Sequence, residues 1–154
     1  MRLWMLLLLL GGVGFAASAE TILVCHSQEL PAAPGRPQVE NALVETVFDD
    51  LFNGGEVAFD LLDTSDSTDE PGRLQALGKT YGADKVVWFK LIWTLSGDTL
   101  TLKEVDYHVL TVGGLTLAQG RLDGGLEIPS PQEKLQLKAL QETFKKQLDA
   151  AWQN

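Results

Sequence analysis

The sequence predicts a mixed α/β domain in the order βαβαβββα, with a mixed sheet of about five strands packed with three helices. Three observations predict it. Early in the domain, two apolar runs alternate with segments whose apolar residues return every three or four positions. Three longer runs with apolar alternation then follow, separated by glycine turns, and an amphipathic segment closes the chain.

Thr21-Ile22-Leu23-Val24-Cys25 is a continuous, β-branched apolar run, as expected of a strand buried on both faces. A Pro-rich loop from Pro31 to Pro37 bounds it. From Gln38 the spacing becomes helical, with Val39, Leu43, Val47 and Leu51 four residues apart and Val44, Phe48 and Phe52 beside them. Pro37 suits the start of this helix and Asn53-Gly54-Gly55 its end, since glycine takes the left-handed conformation that terminates helices. Val57 to Leu62 reads as the second strand. Residues 64 to 71 carry no apolar side chain and are expected in solvent.

A second helix is expected over Gly72 to Tyr81, with Leu74, Leu77 and Tyr81 as its apolar stripe and Gly82 as its terminator. Val86 to Leu95 then places Val87, Phe89, Leu91, Trp93 and Leu95 on one strand face. Gly97-Asp98 turns the chain into Thr99 to Val109, and Gly113-Gly114 turns it into Leu115 to Leu122, giving a three-stranded meander. In the middle strand the apolar parity switches between Leu100-Leu102 and Val105-Tyr107-Val109, which predicts a bulge near Lys103-Glu104. Ser130-Pro131-Gln132-Glu133 announces the last helix, whose apolar face is Leu137, Leu140, Phe144, Leu148 and Trp152.

Residues 1–19 read as a signal peptide and residues 20–154 as a single α/β domain. Arg2 precedes an uncharged stretch from Leu3 to Phe15, and Ala17-Ser18-Ala19 is the small-residue pattern of a cleavage site between Ala19 and Glu20. A membrane span needs about 20 apolar residues, and this stretch is shorter and interrupted by Gly11, Gly12 and Gly14. The alternative is a retained anchor. Cleavage predicts a periplasmic or secreted protein with no stable membrane insertion. Losing Arg2 leaves 11 basic and 21 acidic residues, a net charge of −10, which argues against nucleic acid as a partner. Cys25 is the only cysteine, so no intramolecular disulfide can form. It does not follow a lipidation tripeptide either, and it reads as a small buried hydrophobe, with an intermolecular disulfide as the alternative.

Candidates for chemistry are few. His26 adjoins Cys25, yet neighbours in a strand point to opposite faces, so a thiol and base pair is not expected. His108 shares a face with Asp106, and a hydrogen-bonded strand histidine is the simpler reading. Asp63, Asp66, Asp69 and Glu70 invite a calcium hypothesis, but their spacing is not that of a calcium loop. No glycine-rich phosphate loop opens a helix. The expectation is therefore no catalytic residue, no metal and no cofactor. For partner binding the candidates are Trp88, Lys90 and Ile92, which share the strand face opposite Val87 and Phe89. Helices on one sheet face would leave this strip exposed, whereas helices on both would make it core.

Two phrases carry a resemblance. Leu77-Gly78-Lys79-Thr80-Tyr81-Gly82-Ala83-Asp84-Lys85-Val86-Val87 and Leu100-Thr101-Leu102-Lys103-Glu104-Val105-Asp106, the latter followed by Ala118-Gln119-Gly120, resemble a module of envelope proteins. That module occurs in the TolB N-terminal domain, in the curli secretion lipoprotein CsgG and in LpoB, an activator of a penicillin-binding synthase. The resemblance spans nearly all of residues 21 to 152, without TolB's propeller repeats, without a lipobox, and without the early glycine usual in the strand from Val86. It implies a non-catalytic accessory or adaptor domain that binds another envelope protein. The second expectation is a binder of a small ligand or cell-wall fragment, held between the Pro-rich and acidic loops.

Overall fold

In this computed structural model the described residues are 19–31, 38–64 and 68–153. The elements follow the predicted order: β1 (Thr21–Glu29), α1 (Val39–Gly54), β2 (Val57–Leu62), α2 (Pro71–Thr80), β3 (Lys85–Ser96), β4 (Thr99–Thr111), β5 (Thr116–Ile128) and α3 (Glu133–Trp152). They form one open sheet in the spatial order β2-β1-β3-β4-β5. β1 runs parallel to both β2 and β3, and the meander of β3, β4 and β5 is antiparallel.

Connectivity explains the layers. The first crossover steps outward from β1 to β2, and the second steps back across β1 to β3, so two crossovers of the same hand place α1 and α2 on opposite faces. α1 and α3 cover one face, where Leu43, Val47, Leu140, Phe144 and Leu148 pack on Val24, Val87, Phe89 and Val109. α2 covers the other, with Leu74 against Leu23, Cys25, Val86, Trp88 and Leu110. Covering on both sides is why Ile22 to Cys25 is apolar at every position rather than at alternate ones.

Three local features refine the sequence reading. β1 continues four residues beyond Cys25, because His26 to Glu29 pair with Phe89 to Ile92 although their side chains are polar. β5 runs past Leu122 to Ile128. The predicted bulge is present: Ile92 pairs with Glu104 but Trp93 with Leu102, leaving Lys103 as the extra residue. On its other side, Gly124 and Gly125 lie between the pairs Glu104 with Asp123 and Leu102 with Leu126. A Cβ at Gly124 would stand 2.1 Å from the Leu102 carbonyl oxygen, so only glycine fits there.

At the α3 entrance, Ser130 Oγ accepts the Gln132 N–H (3.2 Å), one position ahead of the helix, in place of a cap on the helix itself. Asp84, from the Gly-Ala-Asp step, fastens the start of β1: its carboxylate accepts the Thr21 N–H (2.8 Å), and its own N–H donates to the Thr21 carbonyl (2.7 Å). No helix among the described residues is long and apolar enough to cross a membrane.

Candidate functional site

The two histidines and the cysteine are committed to internal contacts. Cys25 faces α2 and His26 faces α1, so the adjacent side chains lie on opposite sides of the sheet, as alternation requires. Cys25 is fully buried, and burial pushes its thiol up from 9.0 to about 12, with the Asp63 carboxylate acting in the same direction. The small buried hydrophobe is thus what this cysteine is, and an intermolecular disulfide would need the core opened.

His26 sits in a buried polar network. Its Nδ1 lies 2.7 Å from Glu40 Oε1 and its Nε2 lies 3.4 Å from Asp60 Oδ2, while the ring stacks on Phe89 at 5.8 Å. Gln28 Nε2 donates to the other Glu40 oxygen (2.8 Å), and Trp93 Nε1 donates to Gln28 Oε1 (3.0 Å). Glu40 stands in the first turn of α1, where the helix dipole favours a carboxylate. The network ties the polar end of β1 to α1, β2 and β3. His108 is equally committed: Nδ1 lies 3.0 Å from the Asp69 carbonyl and Nε2 3.0 Å from Thr116 Oγ1, bridging the acidic loop to β5.

Of Trp88, Lys90 and Ile92, only Trp88 lies in the core. Trp88 is 2% exposed beneath α2, while Lys90 and Ile92 are half-buried and Lys90 pairs with Glu29 at 2.8 Å. Trp88 therefore cannot anchor a partner at the surface. Of the acidic loop, Asp63 is buried and pairs with Arg73 at 2.8 Å, and Asp66 lies outside the described residues. No group of three or more His, Cys, Asp or Glu among the described residues is placed to hold a metal. The Pro-rich loop that was expected to frame a ligand lies mostly outside the described residues, at 32–37. A depression of about 300 Å³ lies elsewhere, lined by Glu20, Asp50, Glu56, Lys85 and Trp152. Four of these five side chains are engaged with one another: Lys85 pairs with Glu20 and stands 5.5 Å from the Trp152 ring, and Trp152 Nε1 donates to Asp50 (3.2 Å).

What sequence reading passed over is the edge of the sheet at β2. Val57 N–H donates to the Glu20 carbonyl (2.9 Å) and Asp63 N–H to the His26 carbonyl (2.7 Å), so odd-numbered residues of this stretch bond inward to β1. The backbone groups of Ala58, Asp60 and Leu62 consequently point to the open side. Large apolar side chains gather along it: Phe52 is 84% exposed, Val57 54% and Leu62 40%. Beside them a groove of about 150 Å³ runs between Phe48, Asp49, Phe52, Glu56 and Ala58. On the other sheet face the half-exposed Tyr81 leans on Phe59 at 6.2 Å. A signal for this edge was available: Val57 to Leu62 contains none of the lysines or prolines that guard exposed edges.

No family model matches the chain, and no curated protein sequence matches it. Solved structures do match. The LpoB C-terminal domain from Salmonella enterica shares 14% identity at a TM-score of 0.40, covering 68% of this chain and 81% of that one. Lipoprotein GNA1162 from Neisseria meningitidis shares 16% at 0.46, covering 80% and 95%. The hypothetical protein CT253 from Chlamydia trachomatis shares 12% at 0.49, covering 88% and 100%. The LpoB likeness read from sequence thus recurs among solved structures; the TolB and CsgG likenesses gain no support from these three. At such identities and scores, function has to be read from the molecule's own surface.

Proposed function

We propose that this chain is an exported, non-catalytic accessory domain of the bacterial cell envelope that acts by binding another envelope protein. The observation that carries this reading is the open edge at β2, which leaves Phe52 and Leu62 exposed toward the α1 face and Val57 exposed on the opposite face. Single exposed apolar residues need no explanation, but exposed apolar residues along both faces of a strand at the end of the sheet fit a surface that a protein partner covers. The non-catalytic part is supported by the internal use of His26, His108 and Cys25. Export is supported by Arg2, the apolar run from Leu3 and Ala17-Ser18-Ala19.

The test is affinity capture from detergent-solubilised envelope, using the chain expressed with its own leader and a Phe52→Ser variant. Phe52 is so exposed that the change should move stability by no more than about 0.5 kcal/mol. A discrete protein recovered by the parent and lost by the variant is the expected outcome. Recovery of nothing, or equal recovery by a folded variant, would refute the reading.

A further inference from the structure

We propose that the β2 edge is a strand-acceptor site for an extended, basic and apolar segment of the partner. This rests on the protein-binding reading and adds the partner's chemistry and the mode of contact.

The mode follows from the two sheet edges. β5, at one end, is irregular: its register to β4 shifts twice, and Gly124 and Gly125 lie in one of the shifts. Bulges of this kind discourage strand addition. β2, at the other end, pairs with β1 in unbroken register over its whole length and carries neither proline nor lysine. Ala58, Asp60 and Leu62 offer their N–H and C=O groups outward, a ladder that another backbone can continue. Side chains of an added strand alternate between faces. Those on one face would meet Leu62, Phe52 and the groove at Phe48, and those on the other would meet Val57 and Phe59.

The partner's charge follows from composition along this edge. From Pro37 to Gly72 the chain contains no Lys or Arg, while Glu45, Asp49, Glu56 and Asp60 lie on or between α1 and β2. A segment alternating apolar with basic residues matches this edge when its basic side chains fall on the α1 face, with Asp49 and Asp60, and its apolar ones on the other, with Val57 and Phe59. The same carboxylates disfavour a second copy of this chain as the occupant, because two acidic edges would meet.

The experiment uses the chain processed from its native leader and fluorescence anisotropy with a peptide of about ten residues alternating Val and Lys. One control peptide replaces Lys by Glu. Another methylates alternate backbone nitrogens, which removes the donors a strand needs while keeping every side chain. The Val/Lys peptide should bind, the Glu control should not, and methylation should weaken binding at least about tenfold. Ala58→Pro removes one outward N–H without touching a bond to β1 and should cause a similar loss; Asp49→Lys should weaken binding and flatten its salt dependence. Equal binding of the methylated or Glu peptide, or no binding by any peptide, overturns the proposal. A dimer in sedimentation that Ala58→Pro dissociates would also overturn it, assigning the edge to a second copy. If Ala58→Pro still captures the envelope protein that Phe52→Ser loses, strand addition falls while protein binding stands. If the parent captures nothing, the protein-binding reading itself falls.

Discussion

At Cys25, burial first and the Asp63 carboxylate second hold the thiol protonated far above its ordinary range. Two outcomes follow. In the folded protein at pH 8 a maleimide should leave Cys25 unmodified, and labelling should appear only as denaturant unfolds the chain. Stability should also depend on alkali: below 9.0 both states hold the proton, but between 9.0 and about 12 only the unfolded state releases it, so stability falls across that window. Cys25→Ala should reduce this slope in denaturant titrations run at successive pH values, leaving the part that comes from Tyr107, raised by burial, and Lys145, raised by its bond to Asp50. The buried pair of His26 and Glu40 makes a second residue-scale prediction. Glu40→Ala removes the buried hydrogen-bond partner of the imidazole and of Gln28 and should cost about 1–3 kcal/mol, measurable as a lowered urea midpoint. Alternation along β1 was enough to tell that Cys25 and His26 diverge. It could not tell what His26 meets, because Glu40 and Asp60 are 14 and 34 residues away in sequence.

At the scale of the element, legibility tracked how local the cause was. The Lys103 bulge was readable because it inverts apolar parity within one strand, and β2 was readable to its ends because turn residues flank a short apolar run. β1 was read too short, since His26 to Glu29 are polar and owe their strand conformation to pairing with a strand some 60 residues later, such as Glu29 with Ile92. β5 was read too short for a related reason. Its Gly124-Gly125 step looks like a turn, yet Gly124 is there to let the Leu102 carbonyl approach, and Gly125 takes a positive φ of 58° within the strand. Gly124→Ala should therefore force β4 and β5 apart and destabilise by about 1–3 kcal/mol, with hydrogen-exchange protection lost first around Leu102 and Leu126. The exposure of the candidate strip was left open at this same scale. Whether Trp88 is strip or core depends on which face α2 takes, and that is decided by the return of the chain across β1 rather than by anything near Trp88.

Considered whole, the molecule is a sheet closed on both faces by helices, with an irregular edge at β5 and a regular, apolar, lysine-free edge at β2. The acidic balance of the chain has its local counterpart at that edge, so association with a basic partner should slow as salt is raised. The most direct test places a photoreactive phenylalanine analogue at Phe52 and, as control, at Leu135 on α3, which is also largely exposed at 69% but lies away from the edge. Illumination in the native cell should yield one discrete adduct with an envelope protein from position 52 and none from position 135. Adducts from 135 alone, or from neither position in a chain that is folded and exported, would contradict the account.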